Sequence, residues 1–182
     1  MLRKEIYHSQ ENIKNDVSKL FLEDFTEDER PPLSIFLRSL KKKEITLLAF
    51  YDEDIFIGFT YLTIYQDVCC LYFFAVSASY RHQGYGGQIL EIIKQDYKDF
   101  VIMLCYEEVD SKYKNYEERV LRKSFYLSHG FKDNKIKTNE YGVIYETTYI
   151  GSHQVSFSNY LEIFKMVFGK RHEKNVTDAT NY

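Results

Sequence analysis

The stretch LYFFAVSASYRHQGYGGQIL, residues 71–90, decides the fold of this chain. Its apolar first half predicts a strand, and its glycine-rich second half predicts a short turn that opens a helix. Successive backbone N–H groups at such a turn, together with the positive end of the helix dipole, can bind an anion. Glycine at 84, 86 and 87 would let the backbone approach that anion without a Cβ in the way. A turn without a ligand would tolerate the same glycines, so the spacing of the motif has to decide.

Spacing excludes two other phosphate-binding motifs in this stretch. A Walker A loop needs a lysine directly after its last glycine, and no lysine follows Gly86 or Gly87. A dinucleotide-binding fingerprint that starts at Gly84 and Gly86 needs a third glycine at position 89, which is Ile89. What remains is the pattern R-x-x-G-x-G, formed by Arg81, Gly84 and Gly86.

This pattern resembles the acetyl-CoA signature of the GNAT N-acetyltransferase superfamily, and a second motif supports the resemblance. Residues 124–131, SFYLSHGF, are similar to the end of that family's fourth helix. The acidic stretch before Pro31-Pro32 and the segment SFSNYLEIFKMVFG at 156–169 resemble a branch common in Gram-positive bacteria. The resemblance implies an α+β, single-domain GNAT-like fold. Its mixed central β-sheet would be splayed between strands 4 and 5 and flanked by helices, with an extra C-terminal helix.

The resemblance also implies which residues bind acetyl-CoA. Backbone N–H groups of residues 83–87 would bind the pyrophosphate, and residues 74–76 would hydrogen-bond the pantetheine arm through their main chain. Tyr126 matches a family tyrosine that lies near the thioester sulfur. The family often has an asparagine one or two turns before it; here Arg119 stands seven residues before, and Asn115 lies one turn earlier. The implied cofactor-binding residues are Phe74, Ala75, Val76, Arg81, His82, Gln83, Gly84, Tyr85, Gly86 and Gly87, with Asn115 or Arg119.

Catalysis of such a reaction requires stabilising two developing charges and removing one proton. Thioester aminolysis places negative charge first on the carbonyl oxygen, and a backbone N–H near Val76 is the candidate donor to that oxygen. Negative charge then develops on the leaving sulfur, and Tyr126 is the candidate donor to the sulfur. An alkylamine has a pKa of about 10.4 and needs a base. Glu107 and Glu108 end the fifth strand, and strand alternation directs at most one of them inward. A polar strand end is the other interpretation of either glutamate. The weaker candidates for the base are Asp110 and His82.

An acidic stretch precedes the second predicted helix, in a region that borders the acceptor pocket in this superfamily. It contains Glu23, Asp24, Glu27, Asp28 and Glu29. Its local potential would favour a cationic amine as the acceptor, whereas a solvated acidic loop is the other interpretation.

Apolar periodicity and turn signals predict the other elements. Helices are predicted at 12–25, from 32 to about 42, at 84–97 and 115–129, and from Ser156 or Ser158 to about 168. Strands are predicted at 2–7, 45–51, 54–64, 68–77, 100–106, 131–137 and 142–150. Residues 1–169 are therefore predicted to form the N-acetyltransferase domain, and residues 170–182 a flexible C-terminal tail.

Composition limits the function classes and the cellular setting. A net charge of -3 disfavours binding to a phosphate backbone, so no nucleic acid is expected as a partner. The first ten residues lack the apolar region of a signal peptide, and no run of residues approaches a membrane span. The three cysteines lie in strand-like runs without metal-binding spacing, which predicts reduced, buried thiols. We expect a cytoplasmic monomer or homodimer without a metal, and with a small-molecule or peptide amine as the acceptor.

Two functional hypotheses follow. The first is direct acetyl transfer from acetyl-CoA to a primary amine in a ternary complex. No covalent enzyme intermediate is expected, because none of the three cysteines has the adjacent histidine that a nucleophile needs. The alternative is an acyl-CoA-binding sensor module without transfer activity. Tyr126 favours the enzyme, since a sensor has no need of a leaving-group acid.

Overall fold

The computed structural model of the chain describes residues 2–7, 15–27 and 29–181. Within these residues, eight strands form one sheet in the order β1-β2-β3-β4-β5-β7-β6-β8. The strands are β1 (Arg3–Tyr7), β2 (Ile45–Asp52), β3 (Ile55–Tyr65), β4 (Val68–Val76), β5 (Val101–Glu107), β6 (Lys132–Glu140), β7 (Val143–Ile150) and β8 (Val176–Asp178). The helices are α1 (Asn15–Asp24), α2 (Leu33–Ser39), α3 (Tyr85–Asp96), α4 (Tyr116–Ser128) and α5 (Phe157–Phe168). This is the α+β fold with a C-terminal helix that the sequence predicts.

β4 and β5 are the parallel pair of the sheet, and they separate after three residues. Residues 68–70 of β4 pair with residues 101–103 of β5. Beyond them, β4 continues to Val76 beside β3, and β5 continues to Glu107 beside β7. The splay between strands 4 and 5 that the resemblance implies is therefore confirmed.

A β-bulge in β4 lies where the two strands part. Tyr61 pairs with Phe73 and Leu62 pairs with Leu71, so Tyr72 is an extra residue in β4. A bulge bends its strand and increases the local twist, and such features often re-aim a side chain near a site. Because the bulge comes two residues after the last pair between β4 and β5, we attribute the divergence of the strands to it.

The sheet buries a core on each face. α3 and α4 cover one face, where Ile89, Leu90 and Tyr126 pack on strand residues that include Cys69. α1, α2 and α5 cover the other face, where α5 packs on Cys70 among others. The adjacent cysteines thus point to opposite faces as free thiols, as alternation predicts. No helix in the described part of the chain is long and apolar enough to cross a membrane.

The start of the chain follows the predictions where it is described, except at the end of α2. α1 is described from Asn15, and the predicted helix start at residues 12–14 lies outside the described residues. α2 begins after Pro32, as predicted, but ends at Ser39 rather than near Lys42. Between these helices, the Glu29 carboxylate accepts hydrogen bonds from the backbone N–H and the hydroxyl of Thr26, at 2.9 and 2.8 Å. The first of these bonds is one half of a capping box, but the Glu29 N–H bonds the Thr26 carbonyl at 3.1 Å instead of the hydroxyl, so the segment forms a turn.

The C-terminal segment differs from the predicted flexible tail. Residues 170–175 form a 3-10 turn, and β8 then pairs antiparallel with β6. Val176 and Ala179 are buried, at 5% and 0% exposure. The composition of the segment conceals this strand because only these two small apolar side chains anchor an otherwise polar sequence.

Candidate active site

The turn between β4 and α3 leaves backbone N–H groups open to solvent. His82 and Gly84 have positive φ angles of 60° and 82°, and Gly84 is the N-cap of α3. The first helical bond runs from Gln88 N–H to the Gly84 carbonyl, at 3.1 Å. The N–H groups of residues 85–87 therefore belong to the first turn, which has no intrahelical acceptors. No described atom lies within 4 Å of the Cβ position at Gly84, so the turn has room for an anion.

Gly86 and Gly87 have a packing role that the sequence does not reveal. A Cβ at Gly87 would lie 2.7 Å from Nε2 of His129, and a Cβ at Gly86 would lie 3.2 Å from the Phe125 ring. Both neighbours belong to the C-terminal end of α4. These two glycines therefore let α3 approach α4, whereas Gly84 supplies the left-handed turn.

Beyond the bulge, β4 presents part of its backbone to the gap beside β5. The Ser77 N–H bonds to the Ile57 carbonyl of β3, at 2.8 Å. In an antiparallel pair the direction of the peptide groups alternates, so Ala75 faces β3 while Phe74 and Val76 face the gap. Of the three residues predicted to bind pantetheine, Phe74 and Val76 have suitably directed backbone groups, and Ala75 does not.

Arg81 joins the glycine turn to β4 and to α1. Its Nε donates to the Val76 carbonyl at 2.9 Å, and one of its terminal nitrogens contacts both carboxylate oxygens of Asp24 at 2.6 Å. Burial raises the pKa of Asp24, and the Arg81 guanidinium counteracts that rise. Because the side chain of Arg81 is committed to these contacts, anion binding at the turn depends on the backbone.

Tyr126 lies between α4 and the sheet. Its ring stacks on Tyr106 of β5, with centroids 5.9 Å apart, and meets Phe131 edge to face. Burial raises the pKa of Tyr126 to about 12, which keeps the phenol protonated. Among the described residues, none is hydrogen-bonded to its hydroxyl, although that hydroxyl is not sealed from solvent. The phenol of Tyr126 is thus available as a hydrogen-bond donor, and it lies next to Tyr106, whose side chain lines the gap.

Arg119 and Asn115 stand at the start of α4 and bond to each other. Arg119 Nε donates to the Asn115 side-chain oxygen at 2.8 Å, and its other nitrogens bond the Glu108 carbonyl and the Glu107 carboxylate at 2.8 and 2.6 Å. The Arg119 guanidinium also stacks on Tyr113 at 3.8 Å. Arg119 therefore fixes the end of β5 against α4, and none of its nitrogens is left without a partner.

The two glutamates predicted as candidate bases point in different directions. Glu107 faces the gap but pairs with Arg119 and with Arg122, at 2.6 and 3.1 Å. Glu108 turns away and bonds Lys112 and Lys137, both at 2.8 Å. These ammonium groups lower the pKa of Glu108 to about 2, so Glu108 is a structural ion pair with little basicity.

The weaker candidates for the base lie outside the gap. His82 is exposed in the glycine turn. Hydrogen bonds from the Lys112 backbone and side chain lower the pKa of Asp110, which also bonds Lys112 in an exposed loop.

Between the separated strands lies a small cleft of about 80 Å³, which we call the β4–β5 cleft. Its lining includes Cys70, Phe73 and Tyr160, which pack on the face covered by α1, α2 and α5. A second pocket of about 410 Å³ lies beside it and shares Glu29, Glu107 and Arg122 with it. The residues that line the β4–β5 cleft are Phe25, Glu29, Cys70, Tyr72, Phe73, Cys105, Tyr106, Glu107, Arg122, Glu140, Tyr145 and Tyr160.

Glu140 is the prominent residue of this cleft that the sequence does not predict. Its carboxylate accepts hydrogen bonds from Thr138 at 3.0 Å, from Tyr72 at 3.1 Å and from Tyr160. Burial raises the pKa of Glu140, while the three hydroxyl groups oppose that rise. In the sequence, Glu140 is one acid beside a Tyr-Gly turn, and nothing local marks it.

The acidic stretch and the cysteines contribute unequally to the cleft. Glu29 lines it, Asp24 is bound to Arg81, and Glu23 is an exposed partner of Lys19. Glu27 is exposed, and Asp28 lies outside the described residues. Cys70 and Cys105 line the cleft, where burial raises the pKa of both thiols well above the ordinary value and keeps them protonated.

Comparisons with known proteins agree with this architecture. The family model described as "Acetyltransferase (GNAT) domain" matches residues 42–133. A solved structure from Bacteroides thetaiotaomicron, assigned to the GNAT family, is 19% identical with a TM-score of 0.73 and covers 92% of this chain and 98% of its own. The ribosomal-protein-S18-alanine N-acetyltransferase of Escherichia coli is 14% identical with a TM-score of 0.62. The match covers 86% of this chain and 97% of the Escherichia coli chain.

A third solved structure carries a bound co-substrate. A GNAT family acetyltransferase from Elizabethkingia anophelis with acetyl-CoA bound is 15% identical with a TM-score of 0.60, and covers 83% of this chain and 98% of its own. A comparison with curated proteins gives no match.

Proposed function

The chain belongs to the GNAT acetyltransferase family, and from this premise we propose that it transfers an acetyl group from acetyl-CoA to a primary amine by direct attack in a ternary complex. The single observation that carries the proposal is the gap between β4 and β5 beside the open glycine turn. An unpaired strand edge can hydrogen-bond an amide-containing arm in the manner of an added strand. A turn with free N–H groups can hold a diphosphate at the same end.

The residues present suit acetyl-CoA. The N–H groups of residues 83–87 would hold the pyrophosphate, and the backbone of Phe74 and Val76 would hold the pantetheine arm. Of the wider set implied by the sequence, Arg81 would act by fixing the carbonyl of Val76. Arg119 and Asn115 would act by fixing the end of β5 rather than by touching the cofactor.

The chain's own groups account for the charges that the transfer creates. Acetyl-CoA supplies an activated acyl carbon when bound. The N–H of Val76 faces the gap and would stabilise charge on the acyl oxygen, and the Tyr126 phenol would donate to the leaving sulfur. Glu107 borders the gap, but its carboxylate forms ion pairs with Arg119 and Arg122. We therefore propose that Glu107 orients these two arginines and does not act as the base.

The acceptor is proposed to be a cationic amine that enters through the pocket beside Glu29. Glu29 receives hydrogen bonds from Thr26 and, among the described residues, has no cationic partner. We further propose that the N-acetyltransferase domain extends beyond residue 169 to include β8, that it belongs to the branch common in Gram-positive bacteria, and that it acts as a cytoplasmic monomer or homodimer.

A thiol-release assay tests the proposal. The chain is mixed with acetyl-CoA and a panel of primary amines, and free CoA thiol is measured against a reaction with water alone. The proposal requires at least one amine to give release well above water and to yield the N-acetyl product by mass. Binding of CoA without release from any amine would favour the sensor alternative.

A further inference from the structure

Glu140 is a buried acid with no cationic partner among the described residues. It is 8% exposed, and its three hydrogen bonds all come from neutral hydroxyl groups. Three acids at the end of β5 or in β7 have cationic partners instead. Glu107 bonds two arginines, Glu108 bonds two lysines, and Glu146 bonds Lys123 at 2.6 Å.

An unpaired buried carboxylate is costly to a fold. Desolvation of such a group destabilises the folded state unless a counter-charge and hydrogen bonds offset it. Here the three donors, Tyr72, Tyr160 and Thr138, supply the hydrogen bonds of an ionised carboxylate, but the counter-charge is missing. The cleft beside Glu140 is open, so a ligand can bring that charge.

The other groups around Glu140 do not supply a positive charge. Among the described residues, the titratable groups that interact with its charge are Cys70 and Tyr72 of β4, Cys105 of β5, Tyr141 between β6 and β7, Tyr145 of β7 and Tyr160 of α5. All of these are neutral because burial raises the pKa of each thiol and phenol. Arg122 is the cation that lines the same cleft, and it is bonded to Glu107 at 3.1 Å.

A second carboxylate lies at another part of the same cleft. Glu29 follows α1 and belongs to the lining together with Glu140. Its hydrogen bonds come from Thr26, and none of the described cations pairs with it. Aromatic side chains, among them Phe73 and Tyr145, complete the lining. The cleft therefore offers two carboxylates without counter-ions and apolar walls that suit an alkyl chain.

We propose that Glu140, Tyr72 and Tyr160 receive the ammonium group of an aliphatic diamine or polyamine, that Glu140 removes its proton, and that Glu29 attracts the second charge. This inference rests on the proposed acetyl transfer. One ammonium proton moves to Glu140, the nitrogen forms its bond to the acyl carbon, and the carbon–sulfur bond breaks. The second nitrogen proton ends on the CoA sulfur, and Glu140 later releases its proton to water. The tyrosine hydroxyls hold the carboxylate in place and act as positioning residues.

The test uses the full chain with 1,4-diaminobutane as the probe. Glu140→Gln keeps the side-chain shape and removes the charge. Glu162→Gln is the matched control, because Glu162 is a half-exposed acid of α5 whose partner is Lys165. Calorimetry should show at least about tenfold weaker diamine binding for Glu140→Gln, since a hydrogen bond to a charged group is lost. The same variant should lose about 10²- to 10⁴-fold in kcat/KM, while its CoA affinity stays within twofold.

Two further variants separate a catalytic role from a structural one. Tyr160→Phe removes one donor to Glu140, so the acidic limb of the kcat/KM profile should move to higher pH. A merely structural Glu140 would leave that limb in place. Glu29→Gln should raise KM for 1,4-diaminobutane but leave KM for n-butylamine unchanged, because n-butylamine has no second charge.

The outcomes distinguish this site from the acetyl transfer itself. Equal diamine affinity in the wild type and Glu140→Gln would overturn the site, as would an unchanged pH profile in Tyr160→Phe. If no amine released thiol while Glu140→Gln still lost diamine affinity, the transfer would fail and the ammonium site would stand. If Glu140→Gln did not fold, the pH profile of Tyr160→Phe would decide.

Discussion

Gly58 of β3 offers a direct way to disturb the strand edge assigned to pantetheine. Gly58 lies opposite Val76 in the β3–β4 pair. A Cβ at this position would lie 2.2 Å from the Ala75 carbonyl oxygen and 3.0 Å from Val76 Cα. Because Cβ atoms do not approach other atoms within 3.0 Å, the oxygen would have to retreat by at least 0.8 Å, the difference between these distances. The obstacle is backbone, so β4 itself has to move.

The size of the effect follows from that displacement. Forcing extra volume into a packed layer costs about 1–3 kcal/mol, which lowers Tm by roughly 2–12 °C for a chain of this length. Two backbone hydrogen bonds to the pantetheine arm, each worth about 0.5–1.5 kcal/mol, would be lengthened or lost. Gly58→Ala should therefore weaken CoA binding at least about fivefold.

Thermal unfolding and calorimetric titration with CoA measure both effects. Thr63→Val is the control, because Thr63 lies on the same strand, is fully buried and has a hydroxyl without a partner among the described residues. It should be neutral or stabilise the fold by about 1 kcal/mol and leave CoA affinity unchanged. If Gly58→Ala bound CoA as tightly as Thr63→Val did, the strand edge would not be the binding surface.

Three further predictions concern the leaving group, the ion pairs and the contact between α3 and α4. Tyr126→Phe should lower kcat about 10- to 100-fold with CoA affinity unchanged, and an unaffected kcat in the thiol assay would remove Tyr126 from the reaction. For Glu108, the folded pKa of about 2 lies below the ordinary value of 4.5, so its stabilisation is complete above that value and is lost as pH falls towards 2. Urea unfolding of wild type and Glu108→Gln should therefore converge across this interval, and a constant difference would contradict the assignment. Gly87→Ala should destabilise the chain by about 1–3 kcal/mol because it crowds His129, and adding His129→Ala should restore most of that loss. Additive losses in that cycle would show that the two residues do not collide.

The glycine turn and the sheet could be predicted because local signals specify them. Runs of β-branched and aromatic residues with apolar–polar alternation predict the strands. The R-x-x-G-x-G spacing around Gly84 predicts the strand-to-helix turn. The splay of β4 from β5 came from the resemblance to a family. The bulge at Tyr72 that accompanies it has no local signature, because a bulge depends on how β4 pairs with β3.

The chemistry of the acids was less predictable, because their partners come from distant parts of the chain. Glu107 and Glu108 are neighbours in sequence, yet one bonds α4 and the other bonds Lys137 of β6. Glu140 is surrounded by hydroxyl groups from β4 and α5, which only the folded sheet brings together. β8 was not predicted for the same reason, because it is defined by its pairing with the end of β6 and not by a pattern in its own residues.

A crystal structure of the chain grown with CoA is the most direct test of the acetyltransferase assignment. We expect pyrophosphate oxygens within hydrogen-bonding distance of the amides of residues 83–87. We also expect the pantetheine arm to lie along Phe74 and Val76, with the sulfur on the side of Tyr126. CoA bound elsewhere, with the glycine turn empty and the gap beside β5 closed, would contradict it.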